Sequence, residues 1–192
     1  MKIARLIALV GSLMLLTACT NYDADWGEMW AAAKTKKASH PLRVVARQPA
    51  DAFLQYKAEM PLFTLDDIRS FNIDTGEITF GDVVFDSHVF YDVACKYRVF
   101  FYAGDELLFD ALAVSWFSSV GYFDQLTFQT IACGSDTLEA SKSKFYLRYG
   151  YPGTIKGDTA LEDLMQKNAS GMERFIRILR QAGKIVVGQS CD

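Results

Sequence analysis

Apolar and polar residues alternate along the middle of the chain, which is the pattern of half-buried β-strands. Gly104 and Gly134 each lie in a short turn between two such runs, where glycine tolerates positive φ, and successive hairpins favour antiparallel pairing. A further segment, residues 53–60, fits a strand or a helix equally well. The predicted strands are residues 42–46, 77–80, 83–85, 96–102, 106–115, 126–133, 144–149 and 184–187.

The C-terminal segment changes to a period of three to four residues, which predicts an amphipathic helix over residues 159–182 packed on the sheet. Asn168 and Gly171 weaken its middle, and Gly183 is suited to end it in a left-handed cap. The apolar stripe comprises Leu161, Leu164, Met165, Ala169, Met172, Phe175, Ile176 and Leu179.

A T-x-x-D motif at Thr64 and Asp67 is typical of a helix N-terminus, and it predicts one or two helical turns through Ser70. Residues 72–76 have turn chemistry. The fold class is therefore α+β: a mainly antiparallel, twisted sheet of five to seven strands with the C-terminal helix on one face. Two arrangements satisfy this pattern, a cystatin-like wrap of sheet around helix and a β-sandwich with an appended helix.

The first nineteen residues differ from the rest. Lys2 and Arg5 precede an apolar run over residues 6–16, and Leu16-Thr17-Ala18-Cys19 follows. A cationic start, a short apolar segment and small residues before a cysteine predict a lipoprotein signal peptide, with lipid attached through the Cys19 sulfur. The predicted organisation is a signal peptide over residues 1–18, a tether with a short amphipathic helix over residues 19–41, and one globular domain over residues 42–192.

Charge and length narrow the function classes. Cleavage leaves 174 of 192 residues, enough for one hydrophobic core. Because Lys2 and Arg5 leave with the leader, 18 of 20 basic residues face 23 acidic ones, so the net charge is about −5. An acidic surface repels phosphate backbones, so no nucleic-acid partner is expected.

Three cysteines remain beside Cys19, an odd number that allows at most one internal bridge. Cys95 and Cys133 are either buried free thiols or a disulfide pair, and the third alternative is a bridge to Cys191. His40 and His88 lie too far apart in sequence to suggest a zinc site, so neither metal nor cofactor is predicted.

Several segments resemble, in order and over about two thirds of the chain, a group of uncharacterised Bacteroides-type envelope lipoproteins. The resemblance implies an outer-membrane lipoprotein that faces the periplasm or the cell surface, and it assigns no activity and no functional residue. The segments are residues 63–80 (FTLDDIRSFNIDTGEITF), 106–109 (ELLF), 144–147 (KFYL), 150–152 (GYP), 174–176 (RFI) and 183–185 (GKI).

Catalytic motifs are weak in this sequence. The segment around Ser118 and Ser119 lacks the first glycine of a G-x-S-x-G elbow. Neighbouring Asp66 and Asp67 point about 100° apart on a helix, which favours capping over joint catalysis. His88 and Cys95 have no third group to orient them.

Aromatic residues offer a binding surface instead. Trp116, Phe117, Tyr122 and Phe123 flank a small Ser-Ser-Val-Gly segment, where they either bind a partner or fill the core at the ends of two strands. A second set, Tyr146, Tyr149 and Tyr151, has the same two interpretations.

The sequence thus predicts a lipid-anchored outer-membrane or surface lipoprotein, acting as a non-catalytic binding or assembly module for a protein or glycan. The alternative is an envelope hydrolase that acts on glycan. Its carboxylates would assemble only in the fold, about 5 to 9 Å apart.

Overall fold

A computed structural model of the chain describes residues 41–48, 59–91, 97–131, 137–153 and 158–188. The predicted signal peptide, tether and lipidated Cys19 lie outside these ranges. So do Cys95, Cys133 and Cys191, the turn at Gly134, and most of segment 53–60.

The described part of the chain contains eleven strands and two helices. The strands are β1 (Arg43–Arg47), β2 (Met60–Thr64), β3 (Ile68–Asn72), β4 (Glu77–Phe80), β5 (Val84–Asp86), β6 (Arg98–Ala103), β7 (Glu106–Ser115), β8 (Tyr122–Thr130), β9 (Thr137–Glu139), β10 (Phe145–Tyr151) and β11 (Ile185–Val186). The helices are α1 (His88–Tyr91) and α2 (Thr159–Gln181), and single 3-10 turns occupy Leu65–Asp67 and Ala140–Lys142.

Nine of these strands form one mixed sheet in the order β11-β3-β4-β10-β8-β7-β6-β1-β2, while β5 and β9 pair separately. The α+β class and the C-terminal helix are confirmed, but five to seven strands was too few. Most neighbours are antiparallel, as at the β6–β7 hairpin around Gly104, whose φ is +61°. The pairs β7–β8 and β11–β3 are parallel, so successive hairpins do not describe the whole sheet.

Strand β3, which follows Thr64, is one of the strands that the sequence did not predict. The side chain of Asp67 caps the turn here, because the Thr64 N–H and hydroxyl both donate to Asp67 Oδ2, at 2.7 and 2.9 Å. Only one 3-10 turn follows it, and the chain then continues as β3. A register shift between Ile68 and Ser70 lets Ile68 and Phe71 both point inward at a helix-like spacing. That bulge made a strand resemble a helical turn in the sequence.

The core is built from phenylalanine rings on the inner face of a strongly curled sheet. The ring centroids of Phe63 in β2 and Phe80 in β4 are 4.7 Å apart, although five strands separate β2 from β4 in the sheet order. Six steps of about 4.8 Å would part them by roughly 29 Å in a flat sheet. The sheet therefore bends until its distant parts meet around the core, and Phe101 at its centre is fully buried.

Helix α2 packs against this core through one stripe. Asp158 caps its start by accepting a hydrogen bond from the Ala160 N–H at 2.9 Å. Phe175 and Leu179 are fully buried, whereas Met165 is 48 % exposed. The predicted stripe was therefore wrong at Met165 and also at Ala169, which is exposed.

Gly171 explains this rotation of the stripe. A Cβ atom placed on Gly171 would lie 2.0 Å from the Leu108 carbonyl oxygen of β7. The glycine thus allows the helix backbone to lie directly on the strand, and the face around it turns inward. A residue that weakens helix propensity is here a point where the backbones of helix and strand lie in direct contact.

The helix ends as predicted, at Gly183 with φ +69°. The Lys184 N–H bonds to the Leu179 carbonyl at 2.9 Å, which completes the cap, and β11 then pairs with β3. Across the described ranges, no helix combines the length and the apolar content that a membrane span requires.

Candidate binding cleft at the end of strand β7

Strands β7 and β8 follow each other in the chain and yet pair in parallel, which requires an unusual connection between them. Parallel neighbours need a long connection, usually a dozen or more residues. Here the parallel pairing of β7 with β8 begins only at Thr127, so the return from Ser115 uses eleven residues, including the first half of β8. We call its first six residues, 116–121, the link.

Tyr151 of β10 holds the link in place through hydrogen bonds to its backbone. Its hydroxyl donates to the Trp116 carbonyl and lies 3.2 Å from the Ser118 carbonyl. Its buried ring packs with Leu112, Val114 and Tyr122 in a small second core outside the main one. Burial raises the pKa of Tyr151, and the contact with the Ser118 backbone offsets part of that rise. The hydroxyl therefore stays protonated, and able to donate, at neutral pH.

Aromatic side chains of the link and its neighbours face solvent. Trp116, Phe117 and Phe123 are 47, 54 and 39 % exposed. The core-filling interpretation fails for these three. Tyr122 is half-buried and does pack inward against the second core. The structure thus places four predicted residues on one connection and exposes three of them.

Phe117 does not project freely, because it stacks on Tyr91 of α1. The two ring centroids are 5.2 Å apart and the planes differ by 12°. Trp116 meets Phe117 edge-on at 6.2 Å. An exposed aromatic group supported in this way loses little conformational freedom when it binds a partner.

A cleft of about 240 Å³ lies between the link, α1 and the end of β7. It is lined by Phe90 and Tyr91 of α1, by residues 112–115 of β7, and by residues 117–120 with Tyr122. All of its described lining residues are uncharged. The cleft therefore suits an uncharged, largely apolar group.

Ser115 is the one described residue of this cleft with a buried hydroxyl that lacks a hydrogen-bond partner. It is 4 % exposed, and its Oγ has no hydrogen-bond partner among the described residues. Ser118, by contrast, accepts from the Val120 N–H at 3.3 Å. A buried hydroxyl without a partner costs free energy, so a group that bonds to it gains from doing so.

The other predicted candidates have structural roles. Asp67 is occupied by the Thr64 cap, and the described residues hold no group of three or more His, Cys, Asp and Glu side chains arranged for a metal ion. Tyr146 and Tyr151 are buried, and the Arg148 guanidinium lies 3.9 Å over the Tyr146 ring. Tyr149 is half-buried, and burial raises its pKa. The second aromatic set therefore offers no open surface.

Sequence reasoning missed Tyr91 and Ser115. Tyr91 lies on a four-residue helix that shows no period in the sequence. Ser115 did leave a signal, because it continues the inward series Phe109, Ala111 and Ala113 with a hydroxyl.

Comparison of the chain with protein-family models, curated proteins and solved structures finds no match.

Proposed function

We propose that this chain is a non-catalytic binding or assembly module that contacts a protein or glycan through the link and its flanking aromatic residues. The observation that carries the proposal is the combination of exposure and support at Trp116 and Phe117. Both side chains are about half exposed, and their backbone is tied down by Tyr151. Aromatic residues held in this way are typical anchors of binding surfaces.

Full burial of one large apolar side chain is worth about 1.5 to 3 kcal/mol. Leaving Trp116, Phe117 and Phe123 half in water forgoes part of that gain in the free protein. A partner that covers the link would recover it.

We further propose that the module is held at the outer membrane by lipid on Cys19, facing the periplasm or the cell surface. The Leu16-Thr17-Ala18-Cys19 motif after a short apolar run supports this, as does the resemblance to envelope lipoproteins of the Bacteroides type. For the sheet we propose the wrapped arrangement over the sandwich, supported by the contact of Phe63 with Phe80.

Affinity capture from the native envelope tests the binding proposal. Solubilised membranes are compared for the wild type and for the double variant Trp116→Ser, Phe117→Ser. We expect the double variant to lose at least tenfold of a specifically captured partner or glycan, because two anchors worth about 1 to 2 kcal/mol each are removed.

The matched control is Leu107→Ser with Met165→Ser, which removes two apolar side chains of similar exposure away from the link. This control should capture as the wild type does. Equal capture by wild type and the link variant would contradict the proposal, and turnover of glycan by the purified protein would favour a hydrolase instead.

A further inference from the structure

We infer that the cleft beside the link receives a tyrosine side chain of a protein partner, whose phenolic hydroxyl bonds to Ser115 Oγ. The inference rests on the proposed binding function and narrows its partner from protein or glycan to protein. It follows from three properties of the cleft: its volume, its uncharged lining, and the one buried hydroxyl of that lining, Ser115, that has no partner among the described residues.

The volume limits the occupant to about one ring. A cavity of about 150 Å³ is known to accept benzene, and drug-sized ligands need about 300 Å³ or more. At about 240 Å³ the cleft lies between these limits. A single aromatic side chain with its first polar atom fills such a space.

The uncharged lining excludes several ligand classes. A carboxylate, phosphate or ammonium group would lose its hydration without gaining an opposite charge. A sugar ring carries several hydroxyl groups that each need a partner, whereas Ser115 is the only described lining residue whose side chain holds a buried polar atom without a hydrogen-bond partner. An apolar ring with one polar atom matches this lining better than a glycan does.

The hydroxyl of Ser115 selects among apolar rings. Ser115 lines the cleft with its Oγ shielded from solvent, and a turn about the single torsion angle χ1 would bring that Oγ toward a group in the cleft. A phenol both donates and accepts, as a serine hydroxyl does, whereas a phenylalanine ring offers neither. Buried tyrosine hydroxyls usually find a partner, and Ser115 supplies one.

Ligand-observed NMR on the full chain in lipid nanodiscs tests this, with N-acetyl-tyrosine amide, N-acetyl-phenylalanine amide and methyl β-D-glucopyranoside as probes. We expect the tyrosine probe to bind with a Kd of about 1 mM, which is reasonable for so small a ligand. The phenylalanine probe should bind about fivefold more weakly, the effect of one hydrogen bond. The glucoside should not bind.

Two serine variants assign the contact. Ser115→Ala should abolish the fivefold preference for tyrosine, while Ser119→Ala, at an exposed position of the same cleft, should retain it. Equal binding of the two amino-acid probes to the wild type, or binding of the glucoside in their place, would overturn the inference. Neither result touches the capture experiment, so loss of capture in the link variant would still support the binding function.

Discussion

Replacing Phe101 with alanine is expected to lower the free energy of unfolding by about 4 kcal/mol, the middle of the range for deletion of a buried phenylalanine ring. Phe101 is fully buried, and its ring lies within 6.2 Å of the rings of Phe63, Phe109, Phe128 and Phe175. These four belong to β2, β7, β8 and α2. The cavity left behind would thus touch four elements that cannot all move inward together.

Urea unfolding followed by circular dichroism measures this loss. Phe117→Ala is the matched control, because it deletes the same atoms from a side chain that is 54 % exposed. We expect the control to lose less than about 1 kcal/mol. Similar losses in both variants would show that the curled sheet does not enclose Phe101.

Gly171→Ala is expected to lower the free energy of unfolding by about 2 kcal/mol or more. Alanine in the middle of a free helix stabilises it by about 1 kcal/mol relative to glycine. Here the added Cβ would meet the Leu108 carbonyl at 2.0 Å, and strand and helix would have to separate. Overpacking of this kind costs about 1 to 3 kcal/mol, sometimes more, and a backbone atom is a poor neighbour to displace.

The neighbouring Ser170→Ala variant is the control for the direction of the change in stability. Ser170 is exposed on the same helix, so the variant should gain a few tenths of a kcal/mol from helix propensity alone. Thermal unfolding of the two variants gives opposite shifts if α2 lies on β7. A gain in stability for Gly171→Ala would contradict that contact.

Local signals in the sequence predicted local structure well. The bounds of β7 were predicted as Glu106–Ser115, and helix α2 ends one residue before its predicted limit. Both rest on short-range physics: alternation and a glycine turn for the strand, a 3.6-residue period and a glycine cap for the helix.

Long-range features were not predictable in the same way. The parallel pairing of β7 with β8 depends on how the link folds back, which the hydroxyl of Tyr151, some thirty residues further along the chain, helps to fix. The helix stripe was misplaced at Met165 because Gly171 contacts Leu108, a partner distant in sequence. The candidate site also had a predictable part and an unpredictable part. Its aromatic residues adjoin one another in sequence and were predicted, but the cleft also needs Tyr91 of α1, which is distant in sequence.

Contact between the link and a partner can be detected by site-specific photo-crosslinking in the native envelope. A benzophenone amino acid replaces Phe117 in one variant and Leu107, which is 47 % exposed on the same protein, in the other. We expect a discrete heavier adduct from position 117 and none from position 107. No adduct at position 117, or the same adduct from both positions, would contradict it.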